Sequence, residues 1–212
     1  NNNCQFCWQR EEPRIYQYQE RQHILDEVIN FIKSDNFEKG SHILVCGGEI
    51  FDKPTDEPML HKFFQQIVHL MEDGTIDLLY INTNLIYLFL SGIYFLLDTV
   101  QDAGLLHKMR FTTSYDIEGR FRSDKDRELM LNNLEIISKE YPNMHTVTNT
   151  ILTKPACEAI LSDKFNVKDF MNKHPMGVYW WRCKKHSAII DMHLNPGEEV
   201  TYAFAGQKNN SF

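Results

Sequence analysis

The stretch ILVCGGE, residues 43–49, joins an apolar run to two glycines and a carboxylate. Ile43 to Cys46 have the length and composition of a buried strand. Gly47 and Gly48 then break the apolar pattern, as residues of a turn do. The sequence therefore predicts a strand that ends where residues 47–49 begin a loop.

The segment upstream of this strand predicts a helix. Its apolar residues recur at helical spacing and share one face: Ile24, Leu25, Val28, Ile29 and Ile32. Gly40 and Ser41 separate this face from the strand, so the order is helix, turn, strand.

The same alternation repeats downstream. Strand markers at Ile43, Leu79, Phe111 and Val147 are 36, 32 and 36 residues apart, and each spacing fits one βαβ unit. The predicted helices run from about Glu57 to Met71, from Leu85 into Val100, after Ser123 as N-cap, and from Pro155. This α/β alternation predicts a parallel sheet covered by helices, either a barrel or an open doubly wound sheet.

Residues 1–177 show no linker and are expected to form one domain. Beyond Gly177 the pattern changes to two alternating segments around a turn at residues 195–197, which is a hairpin signal. Residues 178–212 are therefore expected to hold the last strand of the sheet and a C-terminal β-hairpin extension.

Composition excludes several classes of protein. With 42% apolar and 24% charged residues, the chain resembles an ordinary globular protein. The net charge of -7 disfavours nucleic-acid binding as the main activity. The longest apolar run, Leu85 to Leu97, has 13 residues, and a membrane helix needs about 20. We expect a soluble protein without a membrane segment.

Cysteine usage favours a reducing compartment, and we expect a cytoplasmic protein. Five cysteines are an odd number in a chain too long for a small disulfide scaffold. No secretory pattern opens the chain, which starts at Asn1 without Met. Cys46 and Cys157 lie in strand and helix contexts and are expected to be buried.

Polar residues follow the ends of successive predicted strands, where functional residues of such folds belong. They are Gly47, Gly48 and Glu49, then Asn82, Thr83 and Asn84, then Ser114 and Asp116, then Asn149. A carboxylate beside two glycines can pair with an ammonium group of a ligand that approaches the backbone. Each group alone also fits an ordinary turn or cap.

Cys4 and Cys7 form a CxxC motif at the start of the chain. Two thiolates at this spacing can share one metal ion or cluster. The alternative is a pair of thiols without a ligand.

Together these motifs resemble the radical S-adenosylmethionine enzymes over most of the chain. The cluster motif of that family is CxxxCxxC with an aromatic residue before the last cysteine. Here three residues precede Cys4, and Phe6 takes the aromatic place. The resemblance predicts a cysteine directly upstream of Asn1, and a first strand before it.

Three further stretches match the family in order. Residues 46–51 resemble its GGE motif, residues 81–84 resemble its third strand end, and residues 113–120 resemble its fourth strand and polar exit. Leu85 stands where the family commonly has a glycine, which puts a tight turn there in question.

The resemblance implies a partial (β/α)6-type TIM-like barrel that holds a 4Fe-4S cluster on three cysteines. One-electron reduction of bound S-adenosylmethionine gives a 5'-deoxyadenosyl radical, which abstracts a substrate hydrogen. The implied metal ligands are Cys4 and Cys7, and the implied cofactor-binding residues are Phe6, Gly47, Gly48, Glu49, Asn82, Ser114, Asp116, Arg120 and Asn149. Arg122 and Arg127 are further candidates for the cofactor carboxylate. The implied partners are an electron donor such as flavodoxin or ferredoxin and a substrate, peptide or small molecule, that the sequence does not identify.

Two other functions compete with this one. Cys183 and His186 form a CxxH that could complete Cys4 and Cys7 to a structural zinc site. A non-catalytic binding module on the same barrel is the other alternative.

Overall fold

A computed structural model describes residues 16–46, 49–115, 120–151, 154–166, 169–170, 177–181, 189–191 and 203–205. Its helices are α1 (Tyr18–Ile32), α2 (Glu57–Glu72), α3 (Ser91–Asp102), α4 (Asp124–Glu140) and α5 (Lys154–Leu161). Its strands are β1 (Ser41–Val45), β2 (Ile76–Asn82), β3 (Met109–Ser114), β4 (His145–Ile151), β5 (Gly177–Trp181), β6 (Ile189–Asp191) and β7 (Ala203–Ala205). Within these ranges, no helix has the length and apolar character needed to cross a membrane.

Strands β1 to β5 form one parallel sheet in the order in which they occur in the chain. The predicted α/β class with a parallel sheet is confirmed. A doubly wound sheet reverses its strand order at a switch point, and the five described strands contain no such reversal. This strand order is compatible with a partial barrel, which was one of the two arrangements predicted from the sequence.

The two faces of the sheet differ in burial. In β3, Met109, Phe111 and Thr113 are buried, whereas Arg110, Thr112 and Ser114 are only half-buried. The buried apolar residues of β2 and β3 share one hydrophobic core with the helices. The helices therefore cover one face, and the opposite face is less covered.

Helix α2 packs its apolar side into this core. Helical spacing of the apolar residues predicts six buried side chains, and all six are buried: Leu60, Phe63, Phe64, Ile67, Val68 and Met71. A 3-10 turn at Pro54–Asp56 leads into this helix, and Pro58 fits its first turn, where a missing N–H costs nothing.

The predicted helix from Leu85 into Val100 is wrong over its first six residues. Helix α3 begins at Ser91, and residues 85–90 form a loop. The side chains of Thr83 and Asn84 accept hydrogen bonds from the backbone N–H groups of Leu85 (3.3 Å) and Ile86 (2.7 Å). These local bonds compete with helical ones. Leu85 adopts a left-handed φ of 57°. The chain therefore turns here although the position holds a leucine and not the glycine that is common in the family.

Three smaller expectations also differ from the structure. Ile24 and Val28 of α1 are 41% and 37% exposed, and only Ile29 and Ile32 of that helix are buried. Cys46 is exposed, because it follows the last residue of an edge strand rather than lying within the core. Helix α5 begins at Lys154, one residue before Pro155.

Strands β6 and β7 pair antiparallel, with Ile190 opposite Phe204. They lie in the two segments expected to form the hairpin. The residues that join them are outside the described ranges, so the hairpin itself stays a prediction.

Candidate functional site

The carboxyl ends of β2, β3 and β4 bring predicted polar residues to one edge of the sheet. Asn82 ends β2 beside Thr112, and Ser114 ends β3 beside Asn149 of β4. Side chains alternate between the faces of a strand, and Asn82 and Ser114 are both half-buried on the less covered face. The register thus gathers three of the predicted residues at the edge where ligands of parallel sheets bind.

Glu49 lies at the same edge, in the loop that follows β1, and it joins this loop to the end of β2. Its carboxylate accepts hydrogen bonds from the Thr83 hydroxyl (2.9 Å to Oε1, 2.8 Å to Oε2) and from the Asn84 backbone N–H (2.6 Å). A third donor is the Phe51 backbone N–H at 3.2 Å. Two motifs about 35 residues apart in sequence therefore meet at one carboxylate.

The surroundings of Glu49 favour its neutral form. Glu49 as a whole is half-buried, but desolvation of its carboxylate raises the pKa above the ordinary value of 4.5, against the lowering effect of its three donors. Asp52 raises the pKa further. Among the described residues, no Lys, Arg or His forms an ion pair with Glu49. A cationic ligand group would supply the charge that is missing there.

Tyr87 extends this hydrogen-bonded group into the core. Its hydroxyl lies 3.3 Å from Thr83 Oγ1, and the residue is buried. Burial, and secondly the charge of Glu49, raise the pKa of Tyr87 well above its ordinary 10.0. The hydroxyl therefore stays protonated and can donate to Thr83, which in turn donates to Glu49. The sequence analysis missed Tyr87 because it assigned this residue to a helix.

Phe51 fixes the Glu49 loop against the helices. Its ring stacks on Phe64 with the centroids 5.9 Å apart and lies 6.4 Å from the Tyr87 ring. Gly92, at the start of α3, allows this approach, since a Cβ there would lie 3.3 Å from Phe51 Cδ1. The backbone N–H that Phe51 donates to Glu49 is thus held by core packing.

A second buried residue that the sequence analysis missed is Asn133, on the core side of α4. It is 4% exposed, and its Nδ2 donates to the backbone carbonyls of Leu85 and Tyr87, both at 2.9 Å. One signal could have revealed it: a single Asn falls on the apolar face that Met130, Leu134 and Ile137 define.

The three candidate arginines differ in their surroundings. Arg127 pairs with Asp124 at 3.2 Å, and its guanidinium lies 5.6 Å from the centre of the Phe121 ring. Arg122 is exposed and Arg120 is half-buried. Arg127 is therefore engaged within its own helix and with the preceding loop.

Several predicted site residues lie outside the described ranges: Cys4, Phe6, Cys7, Gly47, Gly48, Asp116, Cys183 and His186. The residues that the structure does describe contain no group of three or more His, Cys, Asp or Glu side chains arranged to hold a metal ion. The proposed cluster ligands are not among them.

Compared with models of known protein families and with curated proteins, the chain matches none.

Proposed function

We propose that this chain is the core of a radical S-adenosylmethionine enzyme, which uses a 4Fe-4S cluster to cleave S-adenosylmethionine and abstract hydrogen from a substrate. The observation that carries the proposal is the position of Glu49. Its carboxylate lies at the carboxyl edge of a parallel sheet, bonded to Thr83 and Asn84 and without a cation from the described residues.

The cofactor's amino group suits this carboxylate. An ammonium group beside Glu49 would offset the desolvation of the carboxylate through a charge-assisted hydrogen bond. Asn82 and Ser114, at the same edge, offer polar groups for the rest of the cofactor, and the backbone of Asn149 lies beside Ser114. Arg120 is our candidate for its carboxylate.

The donor chemistry at the start of the chain suits an iron–sulfur cluster. Cys4 and Cys7 supply thiolates at the CxxC spacing, Phe6 lies between them, and the third thiolate is expected directly upstream of Asn1. When bound, the cluster would supply the electron that cleaves S-adenosylmethionine. The protein positions the cofactor, and the cofactor supplies the reactivity.

The proposal includes a partial (β/α)6-type barrel. Consecutive parallel strands, with the helices packed on one face, are the arrangement that curls into a barrel when further strands join. The half-buried face with Asn82 and Ser114 would then line the interior.

Iron and sulfide binding tests the proposal. Full-length protein reconstituted without oxygen should bind about four iron and four sulfide per chain and show a reducible cluster signal. Cys4→Ser and Cys7→Ser should each abolish this binding. Cys46→Ser is the matched control, because Cys46 is an exposed free cysteine outside the motif, and its iron content should equal that of the wild type.

Other outcomes identify the alternatives. Stoichiometric zinc without sulfide, lost in Cys183→Ser and His186→Ala, would replace the proposal with a structural zinc site. A chain that binds S-adenosylmethionine but neither iron nor zinc would be a non-catalytic binding module.

A further inference from the structure

The loop between β2 and α3, residues 83–90, holds two of the three donors to Glu49. Thr83 and Asn84 lie at its start, and both bond to the Glu49 carboxylate. The next residue, Leu85, has a left-handed φ of 57° and is fully buried. A non-glycine residue in this conformation is strained. The donors to Glu49 therefore depend on a turn that does not form on local preference alone.

Asn133 holds this strained turn from outside the loop. Its two amide hydrogens point to the carbonyls of Leu85 and Tyr87, which lie on either side of Ile86, at 2.9 Å each. Both carbonyls belong to residues that are buried, so without Asn133 they would lose a partner in a place poor in water. Among the described contacts, this amide reaches the Glu49 site through these two backbone carbonyls.

We propose that Asn133 is a positioning residue for the Glu49 site: by binding both carbonyls of the left-handed turn, it keeps Thr83 and Asn84 directed at the Glu49 carboxylate. The proposal rests on the proposed function in one respect, since the ligand of Glu49 is taken to be the amino group of S-adenosylmethionine. The connection runs through packed backbone, from α4 to the loop and from the loop to Glu49.

The matched experiment compares two neighbouring asparagines. Asn133→Asp keeps the shape but turns an oxygen toward the two carbonyls, whereas Asn132→Asp changes an exposed neighbour on the same helix. The Glu49 carboxyl carbon is titrated by NMR in both variants without ligand. In Asn133→Asp the loop relaxes, so Glu49 loses hydrogen bonds that lower its pKa and gains solvent, which relieves the desolvation that raises it. The Glu49 titration midpoint should therefore move away from its wild-type position. Asn132→Asp should titrate like the wild type.

Affinity for S-adenosylmethionine, measured on full-length reconstituted protein, should fall about 2- to 30-fold in Asn133→Asp and stay unchanged in Asn132→Asp. A Glu49 titration that stays at its wild-type midpoint in a folded Asn133→Asp protein would overturn the proposal and leave Asn133 as a core polar residue. Because the titration needs no ligand, it remains decisive even if the wild type binds no S-adenosylmethionine, a result that would overturn the proposed function alone.

Two measurements cover the case in which Asn133→Asp does not fold. Asn133→Ser keeps one hydroxyl donor and adds no charge, and it should also move the Glu49 titration midpoint away from its wild-type position. In the wild type, the Asn84 amide hydrogen should exchange as slowly as amides within β2. Fast exchange at Asn84 would contradict a firmly held loop.

Discussion

At the scale of single residues, Glu49 combines two properties that rarely occur together on a structural side chain. Its carboxylate has three protein donors, yet burial keeps its pKa raised. A purely structural carboxylate with such donors usually has a lowered pKa. Under the proposed function, the ammonium group of S-adenosylmethionine would be the cationic partner that lowers this pKa.

Removing the charge of Glu49 should weaken cofactor binding and leave the cluster in place. Glu49→Gln keeps the shape, so we expect a loss of about 1 to 2 kcal/mol, or roughly 5- to 30-fold in affinity for S-adenosylmethionine. Calorimetry on full-length reconstituted protein measures this affinity. Glu72→Gln, an exposed change at the end of α2, is the control. Equal affinity in wild type and Glu49→Gln would remove Glu49 from the cofactor site.

Glu49 should also give the protein a pH-dependent stability. A carboxyl group with a raised pKa binds its proton more tightly in the folded state, so the free energy of unfolding falls as pH rises above 4.5 toward the folded pKa. Glu49→Gln removes this contribution. In urea titrations across this window, the stability of the wild type relative to Glu49→Gln should decrease with pH. A difference that stays constant or increases would contradict the raised pKa.

At the scale of elements, helix α4 has two structural features that can be tested separately, its N-terminal cap and its contact with the loop after β2. Its N-terminus is capped by Ser123, whose hydroxyl accepts a hydrogen bond from the Asp126 N–H at 3.2 Å. Asn133, in the middle of the helix, donates a hydrogen bond to the loop that follows β2. The position of Asn133 at the site therefore depends on a helix that begins at the residue expected from sequence.

The cap can be tested apart from the site. Ser123→Ala should lower the free energy of unfolding by about 1 kcal/mol, because the first turn of α4 loses its side-chain acceptor. Ser123→Asp keeps an acceptor and should recover most of that stability. Urea unfolding of the three proteins measures the effect, and equal loss in both variants would mean that the cap bond contributes nothing.

At the scale of the whole molecule, the parallel sheet has one face packed by helices and one less covered face. Leu79 of β2 is fully buried on the packed face, whereas Leu44 of β1 is 59% exposed. The two leucines differ in environment but not in chemistry.

Replacing each leucine by alanine measures how much this difference in burial contributes to stability. Leu79→Ala should cost about 2 to 5 kcal/mol, as large-to-small changes in cores do, and Leu44→Ala should cost less than about 0.5 kcal/mol. Chemical denaturation of each variant provides the comparison. A large loss at Leu44 would show that this side chain is covered in solution.

Features that depend on local periodicity, such as the buried face of a helix, could be predicted from the sequence. Features that depend on contacts between distant residues, such as the shape of a loop, could not. The buried face of α2, including Phe64 and Ile67, follows from helical spacing. Residues 85–90 are as apolar as the first residues of helix α3, so composition could not distinguish the loop from the helix. Its shape depends on side-chain bonds from Thr83 and Asn84 and on Asn133, 48 residues beyond Leu85 in the chain. No local pattern contains that last contact.

The order of the strands also bears on how the chain can be synthesised. Each of β2 to β5 pairs with the strand made just before it, so each of these four strands leaves the ribosome after its partner strand. Pairing then closes a loop of one βαβ unit at a time, which keeps the entropic cost of each step small.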